Sequence, residues 1–94
     1  MELDEIKLYL RLDTDDEDEL LKSFQLSAEE YLANAGVIKD YEKNLYKLAI
    51  KLLISNWYEN RIPVLSGSIS KKIEYSLQNI ITQLQLYEDE EVNE

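Results

Sequence analysis

The segment from Tyr41 to Asn60 constrains the fold most, because apolar residues fill nearly the whole circumference of the helix that it would form. One face carries Leu45, Leu48, Ala49, Leu52, Leu53 and Trp57, and other positions around the wheel carry Tyr46, Ile50, Ile54 and Tyr58. A helix that is apolar on most sides is normally enclosed by other helices or by a neighbouring subunit. The sequence therefore predicts that this segment is the central helix of the fold.

Three further segments show the one-sided apolar spacing of amphipathic helices. They run from near Leu3 to Asp13, from about Asp15 to Ala35, and from about Ser70 to Tyr87. Their apolar stripes are Leu3, Ile6 and Leu10; Leu20, Phe24, Ala28, Tyr31 and Ala35; and Ile73, Leu77, Ile80, Ile81 and Leu84. The β-branched residues fall on helical and not on alternating positions, so we expect an all-α fold, a small bundle of four helices with a central hydrophobic third helix.

The predicted helix ends rest on local signals. Thr14 and Glu17 have the spacing of a capping box, which predicts the start of the second helix, and Gly36 can adopt the left-handed conformation that ends it. The single proline, Pro63, and Gly67 lie between Arg61 and Ser70, so we expect a turn and a mobile loop there. We expect one domain over residues 1–87 and a disordered acidic tail over residues 88–94.

The composition excludes several kinds of function. The net charge is -10 and there is no histidine, so a basic surface for duplex DNA is not expected. Without cysteine there is no disulfide framework and no thiol nucleophile, and the serines have no plausible base partner. We therefore expect no enzymatic activity and no cofactor. No apolar run approaches the ~18 residues of a membrane span, and the start of the chain lacks the features of a signal peptide.

The acidic residues around the start of the second helix could attract a hard cation. They are Asp13, Asp15, Asp16, Glu17 and Asp18. The glycine and the final bidentate glutamate of a calcium-binding hand are missing from this order. Capping of the helix and solvation explain these carboxylates better, so no metal site is expected.

The pentapeptide from Trp57 to Arg61 has two possible roles, in the core and at an interface. Trp57 is expected to anchor the core, where truncation to alanine costs about 3 to 5 kcal/mol. Trp, Tyr and Arg are also over-represented among binding hot spots, so an interface role stays open for Tyr58 and Arg61. The seven tyrosines are spread along the four predicted helices, which fits core edges and subunit contacts better than base stacking in a basic groove.

Three runs in this order resemble a known family. They are Lys7-Leu8-Tyr9-Leu10-Arg11-Leu12-Asp13, Glu17-Asp18-Glu19-Leu20-Leu21 and Asn56-Trp57-Tyr58-Glu59-Asn60-Arg61. Over roughly residues 1 to 87 the chain is similar to head-tail connector, or head-completion, proteins of long-tailed bacteriophages and prophages. Some members of that family are labelled as possible DNA-packaging proteins.

The resemblance implies a four-helix structural subunit without enzymatic activity. About a dozen copies would form a ring by head-to-tail contacts, located between the portal and the tail-completion protein in the virion neck and assembled in the host bacterial cytoplasm. DNA would pass through the ring without sequence-specific binding. The expected contact surface is the end of the third helix and the following loop, with Tyr58, Glu59, Arg61, Ile62, Val64 and Leu65.

Two alternatives remain at this stage. An acidic inhibitor that mimics DNA and blocks a host nucleic-acid-binding protein would display carboxylates in regular rows at phosphate-like spacing. An enzyme with a carboxylate-bound metal would need acidic residues that converge in a pocket, whereas the sequence puts them at helix ends and in the tail.

Overall fold

A computed structural model describes residues 2–59 and 71–92, with side chains described at 2–59 and 73–86. These residues form four helices and no strand: α1 (Leu3–Leu10), α2 (Asp18–Asn34), α3 (Asn44–Glu59) and α4 (Lys71–Val92). The predicted all-α fold of four helices is confirmed. The predicted contact residues Arg61, Ile62, Val64 and Leu65 lie outside the described residues.

The third helix is the centre of the bundle, as predicted. α3 packs against α1, α2 and α4, and it contributes more of the described core side chains than any other helix. Its buried residues are Tyr46, Ala49, Ile50, Leu53, Ile54, Asn56 and Trp57. The other helices do not enclose all of its apolar residues, since Leu45 and Leu52 are only partly buried and Leu48 is exposed. The other helices cover one side of α3 and leave these leucines at the surface.

The boundary between α1 and α2 differs from the prediction. α1 ends at Leu10, because Arg11 adopts the left-handed conformation (φ 62°) and the Leu12 amide donates to the Lys7 carbonyl at 2.8 Å. α2 begins only at Asp18, and Glu17, at its N-cap, makes no side-chain capping hydrogen bond. The predicted capping box is therefore wrong. Glu17 instead accepts a hydrogen bond from Tyr58 on α3.

The predicted end of α2 is confirmed. Gly36 has a φ of +86°, and the Val37 amide donates to the Leu32 carbonyl at 2.9 Å while the Gly36 amide donates to Ala33 at 3.0 Å. This pair of bonds is a Schellman motif. Val37 is buried, so the motif also places an apolar side chain in the core directly after the turn.

The outer ends of α3 and α4 also shift from the prediction. α3 begins at Asn44, not at Tyr41, because the Asp40 side chain accepts from the Glu42 amide at 3.0 Å and holds residues 41–43 in a turn. α4 runs to Val92, past the predicted end at Tyr87. The side chains from Tyr87 onward lie outside the described residues, and the predicted disorder of the acidic tail stays a prediction.

Candidate assembly surface

The end of α3 joins the core to a predicted contact surface. Trp57 is buried, and its ring centroid lies 6.1 Å from that of Phe24 on α2. Its Nε1 has no hydrogen-bond partner among the described residues. Tyr58 is partly buried, and its hydroxyl donates to Glu17 Oε1 at 2.6 Å. Glu59, the last residue of α3, is exposed. Trp57 and Tyr58 thus tie α3 to α2, and Glu59 faces solvent.

The acidic stretch before α2 forms ion pairs with α1. Lys7 Nζ lies 2.6 Å from Asp15 Oδ1 and 3.1 Å from Asp18 Oδ1. The hydrogen bond from Lys7 lowers the pKa of the Asp15 carboxyl, and the bonds to Asp15 and Asp18 raise the pKa of Lys7. Within the described part of the chain, no group of three or more acidic residues is arranged to hold a metal ion. In this structure Asp15 and Asp18 contact α1.

A polar cluster around Tyr41 connects the start of the α3 region to α2. The Tyr41 hydroxyl donates to Glu29 Oε2 and accepts from Gln25 Nε2 at 3.1 Å. Its ring packs edge-on against Tyr46, with centroids 5.1 Å apart. Burial and the hydrogen bond to Glu29 raise the pKa of Tyr41 far above its usual range, and burial together with the Glu29 charge raises the pKa of Tyr46 to about 12. Both hydroxyls therefore stay protonated at neutral pH.

A groove of about 550 Å³ lies between the start of α3 and the second half of α4. Its lining residues are Glu42, Lys43, Asn44, Leu45, Gln83, Leu84 and Leu86. Leu86 is 59% exposed at the groove, and Leu48, which follows Leu45 by three positions on α3, is 40% exposed. Positions three apart are neighbours on a helix surface, so an apolar surface continues from α4 across α3.

This surface reaches α1. Tyr9 is 42% exposed, and the Nζ of Lys51, three positions after Leu48, lies 5.7 Å from the centre of its ring. We call Leu86, Leu45, Leu48 and Tyr9 the apolar strip. The sequence pattern placed Leu45 and Leu48 on one apolar face of the predicted central helix. The sequence did contain a signal for this strip. Apolar residues occupy more of the circumference of α3 than its three neighbouring helices cover.

The charges beside the apolar strip differ from those at the α1–α2 connection. Lys47 and Lys51 both pair with one carboxylate, that of Glu5, at 3.5 Å. At the α1–α2 connection the balance is reversed, since Lys7 faces two carboxylates. The strip therefore carries a local positive excess in a chain with a net charge of -10.

No described helix combines the length and the apolar character that a membrane crossing requires. A sequence model described as phage gp6-like head-tail connector protein matches residues 1–85. The match includes α1, α2, α3 and most of the described part of α4. Searches of curated proteins and of solved structures found no match.

Proposed function

Because this chain belongs to the phage gp6-like head-tail connector protein family, we propose that it is a subunit of a ring that extends the DNA channel between the portal and the tail-completion protein. The family has a structural role in the virion neck, where connector proteins associate with other phage head and tail proteins. Assembly of the ring in the host bacterial cytoplasm, its copy number of about a dozen and its part in DNA packaging belong to the proposal.

The match over residues 1–85 is the observation that carries this proposal. The structure supports it with apolar surface that the fold of a single copy leaves exposed. Leu48 and Leu86 are exposed beside a groove, and apolar surface rimmed by polar residues is typical of protein-protein contacts. The chain is too acidic to hold DNA by its phosphates. Carboxylates facing the lumen of a ring would repel the DNA backbone and let the duplex slide.

We also propose a contact surface at the end of α3 and in the segment after it. It comprises Tyr58, Glu59, Arg61, Ile62, Val64 and Leu65. Glu59 is exposed and part of Tyr58 is accessible. Arg61 is one of only ten basic residues among 94, and Arg is enriched at interface hot spots. We expect Arg61 to pair with a carboxylate of another subunit.

The DNA-mimic alternative has less support. Such an inhibitor needs rows of unpaired carboxylates, but in the described part of the chain several carboxylates pair with lysines of the same chain. These are Glu5, Asp15, Asp18, Glu19 and Glu29. We therefore do not pursue it as a second function.

The proposal is tested by adding the purified protein to the portal of the same phage and imaging the product by negative-stain electron microscopy. We expect an extra ring of density below the portal. Arg61→Ala should stay folded, as judged by circular dichroism, and should fail to form that ring. Arg11→Ala is the matched control, because it removes one arginine outside the proposed contact surface, at an exposed position after α1.

Two results would count against these ideas. If the wild-type protein adds no density to the portal at high concentration, the connector function is wrong. If Arg61→Ala forms an intact ring, Arg61 does not belong to the contact surface, although the function stands.

A further inference from the structure

The outer face of α2 combines an exposed leucine with an excess of acidic residues, whereas the apolar strip lies beside an excess of lysine. Leu26 is 67% exposed at the middle of this helix, and its neighbours Ser23 and Ser27 are exposed small polar residues. Glu30 follows Leu26 by four positions, so the two side chains are adjacent on the helix surface. Leu26 thus projects from the helix beside a small residue, Ser23, and a carboxylate, Glu30, and can enter a shallow apolar groove on another molecule.

The charges of the two surfaces also match. On α2, Glu19 pairs with Lys22 at 3.4 Å, whereas Glu30 has no ion-pair partner among the residues that the structure describes. The outer face of α2 therefore carries one unbalanced negative charge. Beside the apolar strip, Lys47 and Lys51 share the single carboxylate of Glu5, which leaves one unbalanced positive charge.

We infer that the outer face of α2 of one copy docks on the apolar strip of a second copy, with Leu26 against Leu45 and Leu48 and with Glu30 facing Lys47 and Lys51. The inference rests on the proposed function and names the surfaces of its subunit contact. The two surfaces belong to different helices and share no residue, so one copy can use both at once. This contact is head-to-tail, as a ring requires.

A symmetric contact between two strips is disfavoured by the same charges. Each strip would bring its excess positive charge against that of the other copy, and like charges at an interface oppose association. The outer face of α2 is an acidic, leucine-bearing helix surface of the same chain. Charge complementarity thus favours this pairing over a contact between two strips.

The test uses the full-length protein and two variants that each spoil one surface. Leu26→Asp keeps the strip intact, and Leu48→Asp keeps the face of α2 intact. Neither side chain is buried, so each variant should fold, which circular dichroism would check. The matched control is Leu8→Asp on α1, because Leu8 is 79% exposed and lies in neither surface.

We expect concentration-dependent association of the wild-type protein in sedimentation velocity, with Leu8→Asp behaving in the same way. Leu26→Asp and Leu48→Asp should each remain monomeric. An equal mixture of the two should form a dimer and nothing larger, since it contains one intact pair of surfaces. Glu30→Lys, which lies on the exposed face of α2, should weaken wild-type association at least several-fold.

The inference is overturned if the two leucine variants associate like the wild type, if their mixture stays monomeric, or if Leu8→Asp abolishes association equally. A wild-type protein that is monomeric alone and yet adds a ring to the portal, with the same ring formed by Leu26→Asp, also overturns it and leaves the connector function intact. Association through these surfaces without any addition to the portal would support the contact and remove the function.

Discussion

The two connections at the ends of α2 share a backbone geometry and differ in what stabilises it. The first joint, residues 11–17, has Arg11 in the left-handed region at φ 62°, and the second joint, residues 35–43, has Gly36 there at φ +86°. In both, the amide that follows the left-handed residue donates to a carbonyl five residues earlier: Leu12 to Lys7 at 2.8 Å and Val37 to Leu32 at 2.9 Å. Only the second joint has a glycine at the position that favours one.

The first joint is stabilised by charge at the surface. Lys7 pairs with Asp15 and Asp18, and Asp15 is 89% exposed. The second joint is stabilised by burial and by neutral hydrogen bonds. Val37 is buried, and Gln85 on α4 donates to the Ala35 carbonyl at 2.7 Å. A left-handed helix end therefore forms either because its residue favours that conformation or because contacts after the turn require it.

The largest expected effect is that of Gly36→Ala. A left-handed L-residue costs about 1–2 kcal/mol, and the new Cβ would lie 3.3 Å from Gln85 Nε2, the donor to Ala35. We expect the free energy of unfolding in urea to fall by about 2 kcal/mol. Arg11→Ala is the control: its backbone already carries a side chain in this conformation, so the change should stay below about 0.5 kcal/mol. Equal effects at the two positions would refute the distinction between the joints.

Tyr41→Phe tests the polar part of the second joint. The change removes the hydroxyl that bonds to Glu29 and Gln25, so we expect a loss of about 1–1.5 kcal/mol in urea unfolding at neutral pH. Tyr75→Phe, at an exposed position on α4, is the control and should be neutral. An unchanged stability for Tyr41→Phe would show that water replaces these bonds without cost.

The stability of the protein at alkaline pH tests the same joint in a second way. The folded-state pKa values of Tyr41 and Tyr46 lie above the ordinary 10.0, with Tyr46 at about 12. Their contribution is complete below pH 10 and is lost as the pH rises through the folded-state values, because the unfolded chain ionises first. The wild-type protein should therefore lose stability above about pH 10, and Tyr41→Phe should lose less over the same range.

The joints also show what the sequence could predict. Gly36 identified the end of α2, since glycine itself favours the left-handed conformation. The end of α1 had no such residue, and its prediction extended to Asp13. The capping-box spacing of Thr14 and Glu17 placed the start of α2 too early, because Tyr58, 41 positions away in the chain, takes up the Glu17 carboxylate. Local rules cannot predict a contact of that separation.

The same reason limits the prediction of the candidate surface. The apolar positions of α3 predicted that this helix is central, and this was correct. Periodicity does not say which of several apolar sides meets the other helices when nearly all sides are apolar. The sequence placed Leu45 and Leu48 on one apolar side and Tyr46 and Ile50 on others without deciding between them, and in the structure Tyr46 and Ile50 are the buried pair. Tertiary packing decided between the sides.

Arg11→Gly should stabilise the protein, by less than Gly36→Ala and Tyr41→Phe destabilise it. Glycine removes the strain at φ 62°, and the greater freedom of glycine in the unfolded chain offsets part of the gain. We expect the free energy of unfolding to rise by about 0.5–1 kcal/mol. The variant would give the first joint a glycine at its left-handed position, as the second joint has with Gly36. A destabilised Arg11→Gly protein would mean that the arginine side chain itself stabilises the first joint.

The smallest effect is expected from Asp15→Asn, which removes the closest carboxylate of the first joint. Lys7 holds the pKa of Asp15 below the ordinary 3.8, so the ion pair contributes above that pH and its contribution is lost as the pH falls through the folded-state pKa. Below about pH 4 the melting temperature of the wild-type protein should therefore fall more steeply than that of the variant.

Asp13→Asn is the control, since it removes the same charge from an exposed neighbour that forms no ion pair with any described residue. Because surface charges are screened over about 3 Å in 1 M salt, the difference between wild type and Asp15→Asn should shrink there. The hydrogen bonds and burial of the second joint are not screened in this way, so salt should leave the effect of Tyr41→Phe unchanged. If salt altered both variants equally, the joints would not differ in the interactions that stabilise them.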